Sequence, residues 1–289
     1  MMSDQPIHDS RITRLIELAL MEDIGAGDVT TDGTVGESVR GYAEFLCKTS
    51  GTIAGLEIAG LVFSLCDEDA LLTPRLADGS RVSAGQVIAT VKGPARGLLR
   101  GERTALNFLQ RMSGIATETA RYVEAVRGTG ARITDTRKTA PGLRALDKMA
   151  VRLGGGVNHR FGLDDMALIK DNHIVAAGGI TRAVAACQKY LEARGLDLAL
   201  EVETTSLDEV EEVLGCSGVR RIMLDNFPLE AMRRAVERIA RRLEVEASGG
   251  ITLDTVRAVA ETGVDFISVG ALTHSVMALD ISLEMFPHA

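Results

Sequence analysis

Apolar and polar positions follow two alternating periods along the second half of the chain. From about residue 131, short apolar runs alternate with longer stretches in which apolar residues recur every three or four positions. The runs predict six strands: "ARITDTRK", "MALIKD", "LDLALEVET", "RRIMLDN", "LEVEASGG" and "DFISVGAL". The stretches between them predict helices: "LRALDKMAVRLG", "ITRAVAACQKYLEARG", "LDEVEEVLG", "PLEAMRRAVERIARRL" and "TLDTVRAVAETG". Repeated strand–helix units are typical of a parallel sheet with right-handed crossovers.

Residues at the ends of the predicted helices support this alternation. Ser206 and Thr252 are candidate N-caps, and glycines end several helices, at Gly195, Gly215 and Gly263. The nearly unbroken apolar runs in the strands fit a sheet that is buried on both faces. We therefore predict an α/β fold, an incomplete parallel α/β barrel of about six strands rather than the usual eight. An open doubly wound sheet is the alternative, although no GxGxxG follows the first predicted strand.

The first part of the chain has a different pattern, in which glycines recur around short β-like segments. Examples are "RGYAEFLCKTSGTIAG" and "DGSRVSAGQVIATVKGPARG". A helix over "LRGERTALNFLQRMSGIATETARYVEAV" then leads into the strand–helix repeats. We predict an N-terminal β-rich α+β sandwich domain over residues 1–113 and the barrel domain over residues 114–274. The apolar last residues, 275–289, are expected to join the first domain.

Composition restricts the partners that this protein can have. The 289 residues carry a formal net charge of −8, with a pI near 5.3, which argues against general binding to nucleic acid or to anionic membranes. The four cysteines are scattered, without a CxxC pair, and are expected to be reduced thiols. The N-terminal "MMSDQPIHDSRITRLIELAL" carries charges throughout and predicts neither a signal peptide nor a membrane span. We expect a soluble cytoplasmic protein in which any anion site is built locally from cations.

Polar and small residues collect where the predicted strands end. In parallel α/β folds the chemistry is found at the carboxyl ends of the strands. In chain order these positions and the first connecting loop hold Thr136, Arg137, Lys138, His159, Arg160, Lys170, Glu203, Asp225, Ser248, Gly249, Gly250, Gly270 and Ala271. Each member is weak evidence alone, because a charged residue at a strand end is usually solvated and a lone histidine is usually structural.

The combination is more informative than any single member. Four cations and a histidine from the first half of the barrel segment face carboxylates from the second half. The small residues at the last two strand ends could expose backbone N–H groups to a phosphate. This set suits a polyanion with Mg²⁺, so we favour a catalytic, phosphate-handling site over solvated strand ends. Glu203 lies nearer its strand's end than Glu201 and is the better candidate for the open site, whereas Glu201 could equally pair a buried cation.

These motifs resemble those of a known family. The block "TRKTAPGLRALDKMAVRLGGGVNHRFGLDDMALIKDNHI", with "EVET", "LDNF", "EASGGIT" and "SVGAL", is similar to quinolinate phosphoribosyltransferases, also called carboxylating nicotinate-nucleotide pyrophosphorylases. The segments "EDIGAGDVTTD" and "GERTALNFLQRMSGIAT" resemble the same family, so the likeness covers nearly the whole chain. A related molybdenum-associated branch shares parts of the pattern and stays as a nearby alternative.

The resemblance implies an enzyme at the start of NAD synthesis. Quinolinate and phosphoribosyl pyrophosphate would give nicotinate mononucleotide, pyrophosphate and CO₂, with Mg²⁺ as the cofactor. The resemblance also implies at least a homodimer. Arg103, which precedes the "TALNFLQ" helix, would then reach into the barrel of the other subunit.

The resemblance also implies a role for each matching position. The quinolinate carboxylates would be held by Arg137, His159, Arg160 and Lys170, and Thr136 is a further substrate-binding candidate. Lys138 would lie near the pyrophosphate and the reacting ribose, with Glu203 and Asp225 at the ribose hydroxyls and the metal, directly or through water. The 5′-phosphate would be held by Ser248, Gly249, Gly250, Gly270 and Ala271.

Two other functions stay open at this point. A phosphoribosyltransferase for a monocarboxylate such as nicotinate would need fewer cations, because that acceptor has no second carboxylate. A non-catalytic sensor of phosphorylated metabolites would bind without turnover, and the joint presence of Lys138, Glu203 and Asp225 argues against it.

Overall fold

The computed structural model describes residues 10–286, which divide into two compact units. Among the described residues, the first unit contains 10–120, 140–155 and 275–286, and the second contains 121–139 and 156–274. Elements are numbered here along the whole chain. Those of the first unit are α1 (Ser10–Ile24), α2 (Val29–Thr34), β1 (Arg40–Cys47), β2 (Gly51–Thr52), α3 (Leu56–Cys66), β3 (Leu71–Pro74), β4 (Arg81–Val82), β5 (Val87–Pro94), α4 (Ala95–Ala125, whose last residues belong to the second unit), α5 (Arg144–Leu153) and β12 (Ile281–Phe286).

The first unit is built on a four-stranded antiparallel sheet in the order β12–β1–β5–β3. Strands β2 and β4 form a separate antiparallel pair. Strand β1 has the alternating pattern of a strand with one covered face, since every second residue, from Gly41 to Cys47, is buried. Phe45 on this face packs edge-on against Phe63 of α3, with ring centroids 6.0 Å apart. The expected β-rich α+β unit is therefore present.

The second unit contains alternating strands and helices, as the apolar periods predict. Its elements are β6 (Arg132–Thr134), β7 (Ala167–Ile169), α6 (Asp171–Ala177), α7 (Ile180–Arg194), β8 (Leu200–Thr204), α8 (Leu207–Leu214), β9 (Arg221–Asp225), α9 (Leu229–Ile239), β10 (Glu244–Ser248), α10 (Val256–Ala260), β11 (Phe266–Ser268) and α11 (Ala271–His274). The six strands form one parallel sheet in the order β6–β11–β10–β9–β8–β7. The prediction of six parallel strands is confirmed.

The sheet order places β6 and β7, which follow each other along the chain, at opposite edges. The segment 157–160 lies next to one of these edges, because Val157 forms an isolated parallel bridge with Thr134 of β6. The central strands are buried on both faces, as the middle residues of β8, β9 and β10 show. Two of those buried positions are not apolar: they are Glu201 and Glu246.

Three of the predicted helix ends are confirmed, one of them Gly215, which ends α8, and two need correction. Ser206 caps α8 by accepting the Glu209 N–H at 3.2 Å, and Gly195 ends α7 in the left-handed conformation. Thr252 is not an N-cap, because its carbonyl closes a turn over 252–255 and α10 begins only at Val256. That turn shortens the helix, which ends at Ala260, before Gly263.

Other features bear on the predicted organisation. The predicted boundary between residues 113 and 114 lies inside the continuous helix α4, and β12, near the C-terminus, pairs with β1. The domain boundaries remain a prediction. All four cysteines are free. Between residues 10 and 286, no helix combines the length and the apolar character that crossing a membrane requires.

Candidate active site

The parallel sheet brings the carboxyl ends of its six strands to one edge, which we call the carboxyl edge. Following the sheet order, this edge carries Lys138 beyond β6, Gly270 and Ala271 beyond β11, Ser248–Gly250 at β10, Asp225 at β9, Glu203 at β8 and Lys170 beyond β7. Ser248 and Asp225 are in register on neighbouring strands. The carboxylates therefore lie between cations that come from the two outer strands.

Lys170 and Glu203 contact each other across β7 and β8. The ammonium of Lys170 donates to Oε2 of Glu203, and the side chain of Glu203 is only 11% exposed. Lys170 is the N-cap of α6, and its N–H donates to Nδ1 of His173 at 3.0 Å. The sequence places these two residues with different substrates, so their direct pairing is a feature that only the structure shows.

The like charges of Arg137 and Arg160 influence each other. Burial lowers the pKa of Arg160, and the charge of Arg137 lowers it further. Nη1 of Arg160 donates to the carbonyl of Met166 at 3.1 Å, which fixes its direction. Like charges that the fold holds together in a partly covered place favour an anion between them. This is the arrangement expected of a carboxylate site.

The turn after β6 fixes Lys138 by its backbone. Its N–H donates to Oγ1 of Thr136 at 3.0 Å, and its carbonyl accepts Oγ1 of Thr273, in α11, at 2.9 Å. The side chain of Lys138 is exposed at the carboxyl edge. A solvated ammonium on a fixed backbone suits the binding of a group that gains negative charge during a reaction.

The ends of β9 and β10 form a tight junction. The side-chain amide of Asn226 donates to Oδ2 of Asp225 at 2.8 Å, and the Asn226 N–H donates to the Ser248 carbonyl at 2.8 Å. Gly249 has a φ of +95°, and a Cβ atom there would lie 2.2 Å from Oδ1 of Asn226. Only glycine fits this position, and the resulting turn over Ser248, Gly249 and Gly250 leaves backbone groups accessible to a ligand.

His159 turns away from this edge. Its side chain is 6% exposed, with Nε2 at 3.1 Å from Oε2 of Glu201 and 3.4 Å from Oε1 of Glu246. Burial lowers the pKa of the imidazole, but the two carboxylates outweigh burial and raise it to about 9. The peptide N–H of Arg160 donates to Nδ1 at 2.8 Å and opposes protonation of that nitrogen. Nε2 thus lies at ion-pair distance from both carboxylates.

The two glutamates respond differently to their surroundings. Burial raises the pKa of Glu201, and the nearby charge of Glu246 adds to the rise. Glu246 is buried too, yet contacts with His159, Ser268 and Arg221 lower its pKa. Arg221 donates to Glu246 at 2.9 Å and stacks on the ring of Phe266 at 3.8 Å. Glu201 thus has the buried cationic neighbours that the sequence left as an alternative.

The predicted magnesium ligands fit a cation that is held mainly by its substrate. Glu203 and Asp225 lie on adjacent strands and offer carboxylate oxygens, which Mg²⁺ prefers. Within residues 10–286, the group of three side chains close enough to hold an ion is instead His159, Glu201 and Glu246. Two carboxylates leave several positions for phosphate oxygens and water, which is the usual mode of Mg²⁺ at phosphorylated substrates.

Arg103 belongs to the first unit. It is exposed on α4, which begins at Ala95, so Arg103 lies well inside the helix and not in its first turn. Its neighbour Glu102 is half-buried, and burial raises the pKa of that carboxyl while the Arg103 charge lowers it. The side chain of Arg103 is thus available to a partner.

Sequence reasoning missed the buried residues behind the edge: Asp135, Arg221, Glu246 and Ser268. The signal was present, since a carboxylate interrupts each of the apolar runs "ITDT" and "LEVEAS". A charged residue in a strand that is covered on both faces must have a partner. Such positions therefore predict interior networks as well as exposed sites.

The fold and the carboxyl edge define an α/β-barrel enzyme that acts on anionic substrates. The comparison with known families makes the assignment specific. The quinolinate phosphoribosyl transferase C-terminal domain matches residues 115–284, and the N-terminal domain of the same family matches residues 28–113. The chain belongs to the quinolinate phosphoribosyltransferase family.

Individual relatives agree with this assignment over nearly the full length. Quinolinate phosphoribosyltransferase (decarboxylating) 1b of Nicotiana tabacum is 46% identical over 94% of this chain and 81% of its own. The probable nicotinate-nucleotide pyrophosphorylase (carboxylating) of Bacillus subtilis is 44% identical over 95% of this chain and 93% of its own. The crystal structure of NadC from Streptococcus pyogenes superposes with a TM-score of 0.92 at 38% identity, covering 96% of this chain and 98% of that one.

Proposed function

We propose that the carboxyl edge is the place where this chain carries out the reaction of its family. The enzyme transfers the phosphoribosyl group of phosphoribosyl pyrophosphate to quinolinate, and nicotinate mononucleotide, pyrophosphate and CO₂ are formed in de novo NAD biosynthesis. The observation that carries the site assignment is that the sheet brings cations from its two outer strands and the carboxylates Glu203 and Asp225 to one edge, where Lys170 contacts Glu203.

The acceptor is bound through its two carboxylates. Arg137 and Arg160 offer planar paired donors, and Lys170 offers a point charge at the far side of the edge. Thr136 fixes the backbone that carries Arg137 and Lys138. A dicarboxylate offers these cations a second anionic group, which a monocarboxylate lacks. His159 does not face this space, because its imidazole lies against the buried carboxylates of Glu201 and Glu246.

The donor is bound along the other part of the edge. Its 5′-phosphate lies over the small residues at the ends of β10 and β11: Ser248, Gly249, Gly250, Gly270 and Ala271. Glu203 and Asp225 face the ribose hydroxyls. Mg²⁺, when bound by these carboxylates and by the substrate, supplies positive charge to the pyrophosphate oxygens.

Bond exchange at the anomeric carbon needs charge of both signs. As the ring nitrogen of quinolinate attacks and pyrophosphate leaves, the ribose gains positive charge, which the carboxylate of Glu203 stabilises. Lys138 binds the departing pyrophosphate as it gains negative charge. When CO₂ then leaves, the electron pair of the broken bond stays on the ring carbon. The positive ring nitrogen that the new bond creates stabilises this electron pair until the carbon takes up a proton. The arginines need only orient the carboxylates, one of which leaves.

Assembly and location are also proposals. A homodimer would let Arg103 of one subunit reach the acceptor site of the other, which suits an exposed arginine on a long helix. A cytoplasmic location fits four free cysteines. No partner among nucleic acids or membranes is proposed, in keeping with the net charge of −8.

The experiment is incubation of the purified protein with quinolinate, phosphoribosyl pyrophosphate and Mg²⁺. Nicotinate mononucleotide and CO₂ should form in equal amounts, with the CO₂ derived from the carboxylate next to the ring nitrogen. A parallel reaction with nicotinate controls for a monocarboxylate acceptor. Binding of both substrates without product would support the sensor function instead, and turnover of nicotinate alone would support the monocarboxylate enzyme.

A further inference from the structure

Both ring nitrogens of His159 are engaged inside the second unit. Nε2 faces Glu201 at 3.1 Å and Glu246 at 3.4 Å, and Nδ1 accepts the Arg160 N–H at 2.8 Å. A side chain that binds a substrate carboxylate must direct an N–H at it. In this arrangement Nε2 of His159 lies at ion-pair distance from the protein's own glutamates.

Side chains from four neighbouring strands form a connected set of contacts around the imidazole of His159. Glu201 on β8 is in register with Arg221 on β9, and Arg221 donates to Oε2 of Glu246 on β10 at 2.9 Å. Ser268 on β11 donates to the other oxygen of Glu246. We call these four residues, together with His159, the buried network. Both glutamates are fully buried, so each depends on these contacts for its place in the interior.

A second anchor holds the backbone of His159. Its N–H donates to Oδ1 of Asp135 at 2.9 Å, and Asp135 follows directly on β6. Two residues earlier, Val157 bridges Thr134. The chain that leads to Arg160 is therefore fixed by a strand bridge, a backbone hydrogen bond and the imidazole contacts. The charge of Glu201 also acts on Arg160 directly, because it offsets part of the effect of burial on the pKa of the guanidinium.

We propose that Glu201 and Glu246 are positioning residues for the acceptor site, which anchor the imidazole of His159 and thereby aim Arg160 at a quinolinate carboxylate. His159 acts through Arg160 and does not touch the substrate. The proposal rests on the proposed role of Arg160 in binding the acceptor. It assigns a function to a charged interior that the chemistry at the carboxyl edge does not itself require.

The same three ligand groups would also suit a metal ion by distance alone. The charges favour the network. Arg221 already pairs with Glu246 at 2.9 Å, so a divalent ion would be placed next to a guanidinium. The metal centre is therefore treated as an outcome of the test.

Two substitutions of His159 separate positioning from direct binding. The amide nitrogen of Gln occupies the place of Nε2, whereas that of Asn occupies the place of Nδ1. If His159 acts by contact with the glutamates, His159→Gln should keep the KM for quinolinate within about threefold, and His159→Asn should raise it about tenfold or more. In both variants the kcat and the KM for phosphoribosyl pyrophosphate should change less than the KM for quinolinate.

Glu201→Gln tests the network from the other side. It should raise the KM for quinolinate about tenfold, and its combination with His159→Asn should be little worse than either change alone, because both remove one contact. Glu244→Gln is the matched control. Glu244 lies on β10, as Glu246 does, and it also contacts Arg221, but its side chain is 30% exposed at the amino end of the strand. This variant should leave the kinetics unchanged. Calorimetric binding of quinolinate to each variant, with a thermal melt, separates lost affinity from lost folding.

The possible results are distinct. A wild-type protein that fails to turn over quinolinate contradicts the proposed function itself. An active wild-type protein in which His159→Gln is as impaired as His159→Asn, or more so, overturns the positioning role and makes His159 a direct ligand. Purification with one equivalent of a divalent metal that is lost on Glu201→Gln would also overturn it, in favour of a metal centre.

Discussion

The ammonium of Lys170 contacts the carboxylate of Glu203 across two adjacent strands of the barrel. The side chain of Lys170 is 42% exposed and that of Glu203 is 11% exposed, so the lysine lies on the solvent side of a largely buried carboxylate. We propose that one of them binds the acceptor and the other stabilises the ribose. The two halves of the reaction are therefore coupled through this pair.

That coupling is measurable as non-additivity. Lys170→Gln should raise the KM for quinolinate, and Glu203→Gln should lower kcat, because each charge acts on a different substrate. Each single change also leaves the other charge without its partner. The double variant should therefore be less impaired than the two effects combined, with a coupling of about 1 kcal/mol in kcat/KM. Strictly additive losses would mean that the pair does not communicate.

Lys138 should matter more for turnover than for acceptor binding. Lys138→Ala should lower kcat about a hundredfold while the KM for quinolinate changes little, because its charge matters most as pyrophosphate departs. Lys189→Ala is the matched control, since Lys189 is an exposed lysine on α7. Steady-state kinetics with each substrate varied provide the measurement. Wild-type turnover in Lys138→Ala would remove this residue from the mechanism.

Gly249 should be required for donor binding. Gly249→Ala places a Cβ against Asn226 and displaces the amide that holds Asp225, so the KM for phosphoribosyl pyrophosphate should rise about tenfold. Gly128→Ala is the control, because Gly128 also has a positive φ, of +83°, but has open space around it. Both changes should cost about 1–2 kcal/mol of folding stability through backbone strain. Equal donor affinity in the two variants would contradict the proposed phosphate loop.

Acceptor choice should follow the number of carboxylates. If Arg137, Arg160 and Lys170 hold two of them, quinolinate should bind more tightly than nicotinate by about 1.5–3 kcal/mol, or roughly ten- to a hundredfold. Calorimetry with both acids measures the difference. In Arg160→Lys the preference should shrink, because lysine cannot form the paired contact. Equal binding of the two acids by the wild-type protein would favour a monocarboxylate acceptor.

Arg103 should act on the second subunit of a dimer. Arg103→Ala and Lys138→Ala chains should each be nearly inactive alone, because each damages every site. Co-expression should give mixed dimers with one intact site and one doubly damaged site. With random pairing about a quarter of the wild-type activity should return.

The assay for Arg103 is turnover per total protein after co-expression of differently tagged chains. Tandem purification through both tags verifies that mixed dimers have formed. Mixed dimers without any recovery of activity would show that Arg103 does not complete a neighbouring site.

Much of the barrel could be predicted because its strands are covered on both faces. Runs such as "RRIMLDN" have one interpretation in a strand–helix repeat, and the parallel arrangement then places every strand end on one edge. Helix α4 was harder, because its first turns contain Gly97 and Gly101, which interrupt a helical pattern. Gly101 is required by packing: a Cβ there would lie 2.9 Å from the ring of Phe63.

Side-chain direction is what the sequence could not predict. His159 and Arg160 are neighbours in one loop, yet the imidazole points to buried glutamates and the guanidinium lies near Arg137. The direction of the His159 side chain depends on charged and polar groups from four strands that are distant in sequence. Lys170 and Glu203 show the same limit, since their positions at adjacent strand ends were predictable and their contact was not.

The strand order has a consequence for how the protein is made. Ile133 of β6 pairs with Ile267 of β11, and Cys47 of β1 pairs with Ile281 of β12, so each of these pairs joins segments that lie far apart in the chain. Such long loops close slowly. A ribosome-bound chain that has already produced Arg137 and Lys138 still lacks the strand beside them. Binding of pyridine acids should therefore begin only after β11 has been synthesised, and chains arrested before β11 would depend on chaperones for protection of the open strand β6.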